Sequence, residues 1–159
     1  MNKPAEIKEI QMSNAVLLPE VVKLLEEGHT VTLRLRGRSM RPFLEDNRDK
    51  ALLKKTTSAR VGDAVLAEIK PLTFVLHRIV KIEGQQVTLL GDGNLTPEHC
   101  TLNDVKGTAV GFYRKGRTRI DSTSGRKWRT YSLVWMKLRP VRRYLLAIYR
   151  RCVALRYAK

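Results

Sequence analysis

Acidic residues are almost missing from the last third of this chain. Residues 112–159 carry 15 Lys+Arg against Asp121 alone, a net +14, whereas residues 1–111 carry 16 against 14, a net +2. The overall +16 is therefore a C-terminal property attached to a nearly neutral body, and a field of that sign favours anionic partners. Cysteine is scarce too. Cys100 and Cys152 are the only two, far apart and without a CxxC pair, so a disulfide framework is not implied. Long apolar runs are missing as well. "AEIKEIQMSNAVLLPEVVKLLEEG" is broken by charges throughout, so neither a signal peptide nor a membrane span is expected there. Neither terminus shows a lipidation motif, and no repeat of solenoid length is present. A reducing, cytoplasmic setting is expected.

What is present has the make-up of a globular protein: 159 residues, 43% hydrophobic and 29% charged, enough for a real core without disulfides or metals. Ser13 or Asn14 can cap a helix with Val16, Leu17, Val21, Leu24 and Leu25 at helical spacing, ending at Gly28. "TVTLRLRG" alternates with the period of a half-buried strand and runs directly into Gly37 and Ser39. "DKALLKK", "VGDAVLAEI", "TFVLHRIVKIEG", "QQVTLLGDG" and "VKGTAVGFYRKG" read as further short strands, with "EGQQ" as a hairpin turn. Many short strands with local turns predict a mainly β, mostly antiparallel body over residues 1–120 with an N-terminal helix.

"DSTSGRK" separates this body from a basic tail, residues 121–159. Pro140 can open a helix there, with Val141, Leu145, Ile148, Cys152 and Leu155 on one face. Arginines interrupt every apolar stretch, which excludes a plain transmembrane helix. Two readings stay open. The tail is an interfacial helix whose Arg142, Arg143, Arg150 and Arg151 reach anionic headgroups, placing the protein peripherally at the inner face of a membrane, or it is a helix docked on the body. Specific nucleic acid binding is not expected, although a +14 segment binds DNA nonspecifically at low salt.

The chemistry gathers around "RGRSMRPFL", residues 36–44. Alone, a serine beside a proline is a turn device. The boxes that follow are "RVGDAVLA", "FVLHRIV" and "LLGDGN", and in this order the chain resembles the type I signal peptidases and the related LexA-like self-cleaving proteins over roughly residues 30–111. The resemblance implies a β-rich serine peptidase fold with Ser39 as nucleophile, and with Met40 and Pro42 shaping the turn after it. Asp63 of the "GD" box reads as structural. His77 falls where bacterial signal peptidases carry a lysine base and the endoplasmic-reticulum and archaeal branch a histidine, so the chain looks like that branch. For the acidic third residue Glu98 is the nearest fit and Asp92 the alternative; Asp92 and Asn94 match the last box.

The chemistry is coherent in itself. A serine hydroxyl needs a base, histidine titrates near neutrality, and a carboxylate on its other nitrogen fixes the tautomer. The Ser39 N–H is the natural oxyanion donor. Where family members often place a hydroxyl two residues before the nucleophile, this chain has Gly37. His29, His99 and Cys100 form no metal spacing, so neither metal nor cofactor is expected. The leading expectation is a serine endopeptidase that takes a leader or propeptide as an extended strand. Self-processing and an idle binding module held by the tail are the alternatives.

Overall fold

The computed structural model describes residues 14–115, 117 and 119–157. Helix α1, Asn14–Glu26, packs Leu18, Val21 and Leu25 inward, while Val16 and Leu24 of the predicted stripe are exposed. It stops at Gly28 (φ 90°), where the Gly28 N–H donates to Leu25 O and the His29 N–H to Leu24 O. That pair of bonds closes the last turn, and the left-handed backbone it needs suits glycine. Ser13 lies outside the described residues.

Eight strands follow: β1 Val31–Arg34, β2 Lys50–Lys55, β3 Ala64–Lys70, β4 Thr73–Glu83, β5 Gln86–Leu90, β6 Glu98–Thr101, β7 Val105–Tyr113 and β8 Asp121–Ser122. They form one antiparallel sheet in the order β1-β2-β7-β3-β4-β5-β6, with β8 on β7. The predicted hairpin is the β4–β5 turn, with Glu83 opposite Gln86. Strand β6, which carries His99 and Cys100, is not among the strands read from the sequence. Four residues of "EHCT" are too few to show a period, and pairing of Val87 with Cys100 decides the matter.

Register shifts in β2, β3 and β4 bend the sheet, so both of its faces find cover. Alternate residues of β3 enter two different cores. Ala64 and Leu66 join α1, Phe43 and Phe112, whereas Val65 and Ala67 join Ile79, Val87 and Leu89. This is why "AVLA" is continuously apolar while "VTLR" alternates.

The basic segment forms α2, Arg126–Lys137, and α3, Arg142–Tyr157. Helix α2 is part of the first core: Trp128 lies 5.0 Å from Phe43 and 4.8 Å from Phe112, ring centre to ring centre. Helix α3 turns Leu146 inward and leaves Ile148 and Leu155 exposed. Arg142 corrects the sequence reading. It is 2% exposed, its Nη2 donates to Trp135 O, and its guanidinium stacks 5.3 Å from the Trp135 ring, so it offers nothing to an external anion. Cys152, on the apolar face read from the spacing, is exposed. Among the described residues no helix is long and apolar enough to cross a membrane.

Candidate active site

The segment after β1 is pinned from several sides. Leu35 is buried, its N–H donating to Asp49 O and its own carbonyl accepting from the Asn47 N–H. Gly37 then adopts φ 92°, with its N–H on Asp46 Oδ1 at 2.9 Å. That conformation disfavours a hydroxyl-bearing residue at this place and suits the glycine present. Ser39 follows, half-buried, in a turn whose next apolar residues Met40, Phe43 and Leu44 all plunge into the core. The Arg41–Pro42 peptide is cis. Arg41 pairs with Glu45 at 2.7 Å, and Tyr149 of α3 donates to the same carboxylate at 2.6 Å.

A second loop clamps the first. Gly93 N–H donates to Ser39 O at 2.7 Å, so "GDGN" is stitched to the serine turn. A Cβ placed on Gly91 would lie 2.6 Å from Ser39 O, and one on Gly93 2.6 Å from Arg38 O. Both partners are backbone atoms with little freedom to move. The two glycines of the box are required by close approach, not only by turn chemistry.

His77 is carried by β4 opposite Val65 of β3, and it is 4% exposed. β5 lies between β4 and β6, and at its end His77 Nδ1 meets Glu98 Oε2 at 2.5 Å. Burial pulls the His77 pKa below its ordinary value, and the Glu98 carboxylate, with a smaller contribution from Asp92, opposes that shift. The net direction is downward, which keeps the imidazole neutral at neutral pH. Ser39 and His77 line one open cleft of about 320 Å³, together with Leu35, Gly37, Phe74 and Asn94.

Asp92, the alternative for the third position, is committed elsewhere. Side chains alternate along β4, so Arg78 leaves the sheet on the face opposite His77. There it grips Asp92 with two parallel bonds, Nε to Oδ1 at 2.8 Å and Nη2 to Oδ2 at 2.7 Å, both residues fully buried. The remaining Arg78 nitrogen, Nη1, donates to Gly62 O and to Ser132 Oγ, at 2.8 and 2.5 Å. Tyr131 OH donates to Asp92 Oδ2 and Trp135 Nε1 to Asp92 O. Trp128 stacks on the guanidinium at 4.6 Å. This buried cluster ties the "GD" box, β4, the "GDGN" loop and α2 into one body; nothing in the spacing of Arg78, Asp92 and Tyr131 announced it. Asp63 sits at its edge, closing a turn on the Arg60 N–H at 3.0 Å.

The remaining candidates stay apart from the cleft. His99 is exposed beside Thr88, and Cys100 is buried with its thiol pushed up to about 11, chiefly by burial. No curated protein matches the chain. The family model for Peptidase S24-like proteins matches residues 3–110, a span that holds Ser39, His77, Asp92 and Glu98 and stops short of α2 and α3. The serine turn clamped by "GDGN", the buried His77 on its carboxylate and the antiparallel sheet beneath them thus sit within a matched span of more than half the sequence, and the chain belongs to the Peptidase S24-like family, among serine peptidase-like and LexA-like proteins.

Proposed function

We propose that the protein is a serine endopeptidase of the histidine type, with Ser39 as nucleophile, His77 as general base and Glu98 orienting the base. The observation that carries the reading is the Glu98 carboxylate on His77 Nδ1. It leaves Nε2 as the nitrogen for Ser39, in a cleft that both residues line. Ser39 Oγ attacks the scissile carbonyl carbon while His77 takes its proton. The Ser39 N–H supports the oxyanion, and His77 returns the proton to the leaving amine. Water, deprotonated by the same imidazole, then releases the acyl group from Ser39.

The cleft suits an extended peptide. β4 pairs with β3 over Thr73–Arg78 but with β5 only from Arg78 onward, so among the described residues no strand pairs the second edge at positions 73–77. A leader or propeptide can add there as a strand, between β4 and the segment Leu35–Gly37 that lines the other wall.

The pH profile tests the base. Only neutral imidazole accepts the Ser39 proton, so kcat/KM on a cleaved peptide rises with pH through the His77 pKa, with a midpoint below about 6.5. Glu98→Gln removes the carboxylate that opposes the shift. The midpoint then moves further to acid, and kcat falls by about 10²–10⁴-fold as tautomer control is lost. A midpoint indifferent to Glu98→Gln removes Glu98 from the mechanism. A separate expectation concerns the clamp: Gly93→Ala pushes on Arg38 O and displaces the serine turn, slowing acylation by a serine-reactive reagent about 100-fold. Unchanged acylation kinetics in that variant would show that the turn does not depend on the loop.

A further inference from the structure

Helix α3 has two unlike faces. One is committed to the body: Arg142 and Leu146 are buried, and Tyr149 OH is held by Glu45 Oε1 at 2.6 Å. The helix therefore cannot roll to hide its other face. On that face Tyr144, Ile148 and Leu155, with Val141 just ahead of the first turn, recur at helical spacing and are 57%, 61%, 67% and 44% exposed. Large apolar side chains aligned on the outside of a fixed helix mark a contact surface.

The surroundings of the stripe narrow the partner. Arg151 borders the stripe, and Arg143 and Arg150 lie further round the helix; all three are exposed, and Arg143 Nη2 donates to Tyr144 OH at 2.6 Å. No acidic residue occurs anywhere in residues 122–159. A second copy of the chain would bring the same arginines against one another. A nucleic acid would satisfy the arginines but leave Ile148 and Leu155 in water. An anionic lipid surface answers both, taking the apolar side chains at the headgroup–acyl boundary while the arginines reach phosphates. Sixteen residues of α3 make a rod of about 24 Å, with Arg151 at the edge of its apolar stripe, suited to lie in the plane of that surface.

We infer that the outward face of α3, built on Tyr144, Ile148 and Leu155 with Val141 just ahead of the helix, seats the protein on anionic phospholipid. Unlike the catalytic reading, the inference does not depend on Ser39 or His77. Arg142 is no part of this contact.

The test is flotation of the full chain with phosphatidylcholine vesicles and with vesicles containing 30% phosphatidylglycerol. Partition onto the anionic vesicles alone is expected. Ile148→Glu should weaken it roughly tenfold or more, and Arg151→Gln roughly fivefold. Ile148 is exposed, so thermal melts should show these variants folded like the parent. Three results would overturn the inference. They are failure to partition, partition that Ile148→Glu leaves intact (mere adsorption of a basic chain), and a dimer without lipid that Ile148→Glu dissociates.

Discussion

Replacing Ser39 by alanine is expected to abolish stoichiometric labelling by a mechanism-based serine reagent and to lower peptidase activity by about 10⁴–10⁶-fold. The same loss is expected for His77→Ala, because the hydroxyl is a poor nucleophile until a base removes its proton. The Ser39→Ala variant should keep its fold. Ser39 is half-buried at the cleft and the change deletes one oxygen, so stability should shift by no more than about 0.5 kcal/mol. His77 is different in this respect, being buried against Glu98, and its removal leaves a carboxylate without its partner. Mass spectrometry after reaction gives the answer directly. A single added mass in the parent, lost in both variants, establishes an activated Ser39. Labelling that survives in Ser39→Ala places the reactive group elsewhere and ends the proposed mechanism.

Asp92→Ala should produce a large loss of stability. It removes two bonds from a fully buried guanidinium and strands Tyr131 OH in the same step, while the Asp92 carbonyl that accepts from Trp135 stays in place. Leaving one partner of a buried ion pair uncompensated costs about 3–5 kcal/mol. For a chain of this size that corresponds to a fall in Tm of roughly 6–20 °C. The physical origin can be isolated with a second variant. In Arg78→Met/Asp92→Leu no buried charge is left unpaired, so much of the loss should be recovered, although Gly62 O and Ser132 Oγ lose their donor. Equal damage in the single and double variants would mean that the contacts to α2, and not the unpaired charge, dominate. Because the "GDGN" loop carries Asp92 on one side and holds Ser39 O on the other, Asp92→Ala should also slow acylation of Ser39.

Much of the β body was legible in the chain because strand signals are local. Alternation in "VTLR", the glycine-bounded run "AVLA" and the turn at Gly84 each report their surroundings within a few residues. The order of the serine, "GD", "HRIV" and "GDGN" boxes was equally legible, and the family match spans them. Strand β6 escaped because four residues are too few to carry a period of their own. Its existence depends on β5 lying beside it, and with it goes the placement of Glu98.

Pairing between distant side chains is where the sequence falls silent. Asp92 and Glu98 stand six residues apart, and either could have served the histidine. The alternation of β4 sends His77 and Arg78 to opposite faces, and that geometry alone assigns Glu98 to one and Asp92 to the other. In the same way the arginines of the tail are indistinguishable in a charge count. Burial of Arg142 under Trp135 and the hold of Glu45 on Tyr149 settle which face of α3 is turned out. By itself the sequence determined the β class, the order of the chemical boxes and the concentration of charge at one end, since each is a property of neighbours along the chain. Tertiary structure decided which carboxylate meets His77, why two glycines must flank Asp92, and which arginines meet solvent, since each depends on atoms brought together from elements far apart in the sequence.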